Sequence, residues 1–136
     1  MYANTVYSVF ARVFYYSIPP GSVDMATVYV TTLAATRPSN WYWQDTVASG
    51  YPMIRATQWN EFCSRINSFR QYRGLGNYSF PIVYRGNVIT ASIVNQARTA
   101  ISQISGSGTL PSTAYTGATI TAYYFNQLRD ALNAIP

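Results

Sequence analysis

A tandem repeat runs through the last two-thirds of this chain. Three ungapped segments align over residues 54–69, 89–104 and 120–135. The first opens Ile54-Arg55-Ala56-Thr57-Gln58-Trp59-Asn60-Glu61-Phe62 and the second Ile89-Thr90-Ala91-Ser92-Ile93-Val94-Asn95-Gln96-Ala97. The third opens Ile120-Thr121-Ala122-Tyr123-Tyr124-Phe125-Asn126-Gln127-Leu128. Each reads Ile, then Thr or Arg, Ala, two variable residues, a bulky apolar residue and Asn. A chain built from copies of one unit folds as a set of like elements that bury their apolar faces on one another.

Each copy carries one helical stripe. Trp59, Phe62, Ile66 and Phe69 recur at three- and four-residue steps, as do Val94, Ala97, Ile101, Ile104 and Phe125, Leu128, Leu132, Ile135. That spacing lays the apolar side chains along one face of a helix. Thr90 and Thr121 stand at the N-cap, where a side-chain oxygen can accept from first-turn N–H groups. The isoleucine before each forms half of a hydrophobic staple. The first copy has Arg55 at the cap, so its helix is expected to begin later, at Thr57. Asparagine is a mediocre helix former, yet Asn60, Asn95 and Asn126 hold one register. They are expected to be structural clamps, each bonding the loop that enters its own helix.

Glycine punctuates the copies. Tyr84-Arg85-Gly86 precedes Ile89 by the offset at which Tyr115-Thr116-Gly117 precedes Ile120, and Gly50 is displaced by one. Ser105-Gly106-Ser107-Gly108 stops the second helix. Phe80-Pro81-Ile82-Val83-Tyr84 reads as a short edge strand, since Pro81 argues against a central one. Residues 1–49 read differently. Val6–Ile18 is rich in Val, Phe and Tyr, Thr27–Leu33 is nearly all β-branched, and Pro19-Pro20-Gly21 lies between, so two strands joined by a turn are expected. A helical phase with Thr5, Ser8 and Arg12 as its polar stripe also fits. Trp41-Tyr42-Trp43 is a loop-flanked aromatic cluster that either caps a core or forms a binding platform.

Charged residues make up only 10% of the 136 residues, against about 25% in typical soluble domains. All nine basic residues are arginine, whose planar fork tolerates desolvation better than lysine does. The net charge of +5 is scattered, with only Arg65, Arg70 and Arg73 clustered, so nucleic acid is not an expected partner. Thirteen tyrosines suit surfaces that meet other proteins. Enzymatic chemistry is not expected, and neither a metal nor a cofactor. There is no histidine to act as base or ligand and no lysine for a Schiff base. The four acids, Asp24, Asp45, Glu61 and Asp130, form no recognisable pair. Cys63 is single, so no disulfide closes within the chain, and no apolar run approaches the ~18 residues of a membrane span.

The stretch Gly117-Ala118-Thr119-Ile120-Thr121-Ala122-Tyr123-Tyr124-Phe125-Asn126-Gln127-Leu128 resembles a segment recurrent in tailed-bacteriophage virion proteins. There it reads Gly-x-x-Ile-Thr-Ala-x-x-aromatic-Asn-x-Leu, often in tail-fibre or other tail-associated proteins. Gly86–Asn95 matches with Val94 in place of the aromatic, and Ile54–Asn60 matches without the threonine. The resemblance covers residues 50–136 and does not reach residues 1–49. It implies a structural role in a virion and carries over no catalytic residue.

The expected fold is one α+β domain over residues 1–136. Antiparallel strands in residues 1–49 would pack on a small bundle of three repeat helices in residues 50–136, with a mainly α chain as the alternative. The expected function is a non-enzymatic structural or adaptor subunit of a bacteriophage virion, tail- or neck-associated, made in the host cytoplasm. It would assemble with other virion proteins and with itself as a homo-oligomer, with no membrane partner. The alternative is a carbohydrate- or receptor-binding module that uses Trp41, Tyr42 and Trp43 as its platform.

Overall fold

The computed structural model describes residues 6–8, 32–45 and 54–136 of the chain. Its architecture is helical. Helix α1 spans Ala56–Tyr72, α2 spans Ala91–Ser102 and α3 spans Ala122–Asn133. The expected α+β class, with a strand layer packed on the helices, is therefore corrected. Among the described residues the only ladder joins β1 (Val6–Ser8) to β2 (Thr32–Ala34), antiparallel, pairing Val6 with Ala34, Tyr7 with Leu33 and Ser8 with Thr32. Three residues a side make no layer that could cover a bundle. The remainder of the expected strands, and the turn Pro19-Pro20-Gly21, lie outside the described residues.

The helices form where the periodicity places them, and their ends have local causes. Thr90 Oγ1 accepts from Ile93 N–H and Thr121 Oγ1 from Tyr124 N–H, both at 3.4 Å. Helix α1 begins at Ala56, one residue ahead of the expected start, with Arg55 as an extended N-cap making no side-chain cap bond. Asp45 holds that junction instead. Its Oδ2 accepts from Arg55 N–H at 2.8 Å and its Oδ1 from Arg55 Nε at 2.6 Å. At the other end, Leu75 N–H donates to Arg70 O and Gly74 N–H to Gln71 O, the paired bonds that close a Schellman turn.

The three stripes meet in one core. Trp59, Phe62, Ile66 and Phe69 of α1 are buried with Val94, Ala97 and Ile101 of α2 and Phe125, Leu128 and Leu132 of α3. Helix α2 packs on both α1 and α3. Fully burying a side chain of this size is worth about 1.5–3 kcal/mol, so the stripes carry the bundle.

The stretch 80–84, expected as an edge strand, joins no ladder. It is held from a helix. Asn67 near the C-terminal end of α1 bonds Tyr78, and Asn60 near the N-terminal end bonds Val83. The connector therefore runs back along α1, and α2 starts at the same end as α1. A helix followed by a return along its own length repeats the geometry for the next copy, which is how one sequence unit builds parallel helices.

Candidate interaction surface

The repeated asparagines act on backbone. Asn60 Nδ2 donates to Val83 O at 2.8 Å while its Oδ1 accepts from Val83 N–H at 3.0 Å. Asn95 does the same to Ala114, at 2.8 Å in both directions. A side-chain amide carries one acceptor and two donors in a plane, so it can pair with a peptide unit as a strand would. The partner is the connector into the following helix, not the segment entering the asparagine's own helix. Asn126, among the described residues, accepts from Arg129 Nη1 at 3.0 Å.

A second row of clamps, about two helical turns further along, was not singled out from the sequence. Asn67 pairs with Tyr78. Asn133 pairs with Trp41, accepting from its N–H at 2.8 Å and donating to its O at 2.9 Å. Helix α3 thus grips the stretch that leads into α1 by the bonds with which α1 grips the stretch leading into α2. Residues 36–45 serve as the third connector, and the three units close into a ring. The signal was available, because Asn67 and Asn133 both stand seven residues after a repeat asparagine.

Asn60→Ala and Asn95→Ala are each expected to lower unfolding free energy by about 2 kcal/mol, two backbone bonds at about 1 kcal/mol apiece. Urea titration followed by circular dichroism reads this directly. Losses below about 0.5 kcal/mol in both variants would mean that the connectors hold by apolar packing without the amide.

The arginines have a similar occupation. Arg37 donates to Ile135 O at 2.7 Å and Asn133 O at 2.9 Å, and Arg98 to Pro111 O at 2.6 Å. Arg70 reaches Gly76 O and Ala100 O, both at 2.9 Å, while Arg73 reaches Pro136 O and Arg65 reaches Ser39 O. Several of these carbonyls belong to helix C-termini, which lack intrahelical donors and carry partial negative charge. Among the described residues, Arg37, Arg65, Arg70, Arg73 and Arg98 thus direct their donors at carbonyl oxygens within the fold.

Trp41 and Trp43 do not form an exposed platform. Trp41 is 7% exposed, and Trp43 is half-buried with its Nε1 donating to Phe125 O at 3.3 Å. Trp43 lies 4.7 Å from Phe62 between ring centroids and stacks on Trp59 at 6.5 Å. Only Tyr42, 67% exposed, faces outward, as alternation along an extended stretch requires. Other exposed aromatics lie on the connectors and on the first turn of α3. Tyr84 and Tyr115 open equivalent turns, in which Asn87 N–H donates to Tyr84 O and Ala118 N–H to Tyr115 O, both at 2.9 Å. Gly86 and Gly117 take the left-handed position of these turns at φ +87° and +83°. Val88 and Tyr123 are exposed as well.

The acids of the described residues are each engaged separately. Asp45 bonds Arg55, Glu61 accepts from Gln58 Nε2, and Asp130 pairs with Arg129. Among the described residues, no three His, Cys, Asp or Glu side chains come together to hold a metal. Cys63 is buried, and desolvation pushes its thiol from 9.0 up to about 12. The native thiol is therefore expected to resist iodoacetamide at pH 8 and to react only on unfolding. Its neutral form contributes stability that is full below pH 9 and is lost as pH rises towards 12, because the unfolded chain releases its proton first. Burial raises Tyr124 as well, against a smaller lowering by Arg98, and acts in the same direction. The urea midpoint should fall above pH 9, and Cys63→Ala should flatten that fall.

Comparison with protein-family models, with curated proteins and with solved structures finds no match to the chain.

Proposed function

We propose that this chain is a structural or adaptor subunit of a tailed-bacteriophage virion, tail- or neck-associated, that works by protein–protein assembly. The resemblance of the Gly-x-x-Ile-Thr-Ala segments to virion proteins supplies the setting. The observation that carries the assembly reading is the outward face left once the clamps have closed. Tyr84, Val88, Tyr115 and Tyr123 stand exposed, and Asn60 and Asn95 fix the residues just before Tyr84 and Tyr115. Aromatic residues on a preorganised scaffold bind partners with little loss of side-chain freedom. Tyrosine, apolar in body and polar at its tip, suits a surface that is wet before assembly and covered afterwards.

Mass spectrometry of purified particles of the source virus tests the setting, since a structural subunit must be present there in stoichiometric amount. Light scattering across a concentration series tests self-assembly. A defined trimer or hexamer supports a symmetric component. Absence from the particle would end the virion reading.

A further inference from the structure

We propose that the groove between the Tyr115 turn and the first turns of α3 binds a neutral saccharide. The cavity holds about 290 Å³. Tyr115 and Tyr123, 74% and 71% exposed, stand on its lining, and Tyr124 lines it half-buried. Thr113, Thr119 and Gln127 add hydroxyl and amide groups to the lining. No charged side chain lines it.

That combination selects a ligand by chemistry. Tyrosine rings offer flat apolar faces, and the lining hydroxyls and amide can each donate and accept. An anion or cation entering here would shed water against no opposite charge, which is unfavourable. A ligand with apolar C–H faces and many uncharged hydroxyls satisfies both demands, which describes a pyranose. The groove beside Tyr84 is built differently, between that turn and the start of α1, and Arg55 and Arg85 line it.

The groove is firmly built. Tyr124 Oη lies 3.4 Å from Asn95 Oδ1, the atom that clamps Ala114 at 2.8 Å, and Gln127 Nε2 donates to Tyr123 Oη at 3.1 Å. One wall of the groove and the helix facing it are therefore tied through the same asparagine. Small ligands gain most from sites whose polar groups are placed beforehand.

Saturation-transfer NMR on the intact chain tests this, with glucans, galactans, mannans and N-acetylglucosamine oligomers as probes. The expected result is transfer to at least one class, weakened about ten-fold or more by Tyr115→Ala and by Tyr123→Ala, with melting unchanged because both rings are exposed. Tyr42→Ala, which alters an exposed tyrosine outside the groove, should leave binding intact. Absence of transfer from every class overturns the proposal, as does binding that survives both groove substitutions. Selective capture of a proline-rich peptide in place of any saccharide also overturns it, and would reassign the tyrosines to peptide docking.

Discussion

Arg70→Ala is expected to lower the free energy of unfolding by about 3–5 kcal/mol, and Arg70→Lys by about 2 kcal/mol. Arg70 is a buried cation. Its Nε donates to Gly76 O at 2.9 Å, and its Nη1 donates to Ala100 O at 2.9 Å and Gln103 Oε1 at 2.7 Å. The guanidinium also lies over the Tyr78 ring at 5.7 Å. It ties the end of α1 to the end of α2 and to the connector between them. Alanine would leave the buried Ala100 carbonyl without this donor and open space beside the ring. Lysine keeps the charge but presents one nitrogen where the fork presents two, so it cannot reach Gly76 and Ala100 with the same geometry. Equilibrium urea unfolding measures both. A lysine variant as stable as the parent would show that charge, not the fork, holds this junction.

Trp59→Ala is expected to cost about 4 kcal/mol, whereas Trp59→Phe should cost about 1 kcal/mol or less. Trp59 is fully buried among Trp43, Phe62 and Phe125, at centroid distances of 6.5, 5.7 and 5.9 Å. Alanine removes nearly all of that contact from the point where α1, α3 and the 41–45 connector converge. Phenylalanine stands at the same repeat position in the third copy, as Phe125. It loses volume, but it also removes the Trp59 indole N–H, which is buried without an acceptor. Relief of that unsatisfied donor offsets part of the cavity cost. Equal destabilisation by both substitutions would mean that ring volume alone matters at this site.

These two positions differ in how readable they were. Trp59 lies on a stripe whose period is local, so the sequence placed it in the core. Arg70 fell within the cluster Arg65, Arg70 and Arg73, and the absence of lysine hinted that fork geometry mattered. Its acceptors, however, include a carbonyl thirty residues away along the chain, which no spacing rule names. The N-terminal reading shows the opposite hazard. Runs of Val, Thr and Tyr suggested a strand layer, whereas among the described residues only a three-residue ladder forms, too small to cover a bundle. The helical core instead closes with Trp41 and Trp43 from a connector.

What the sequence determined by itself was local: three helices, their stripes, the threonine caps and the glycine turns. Each depends on residues within about one helical turn or one tight turn of one another, so its cause is written in adjacent letters. What only the tertiary structure decided was who meets whom. Asn133 and Trp41 stand 92 residues apart, yet they make the closing bond of the ring. A side-chain amide will pair with any free peptide unit, so its partner is chosen by the path of the chain through space. The same path turned Trp41 and Trp43 inward and left Tyr115 and Tyr123 outside, because exposure belongs to the packed arrangement and not to the residue.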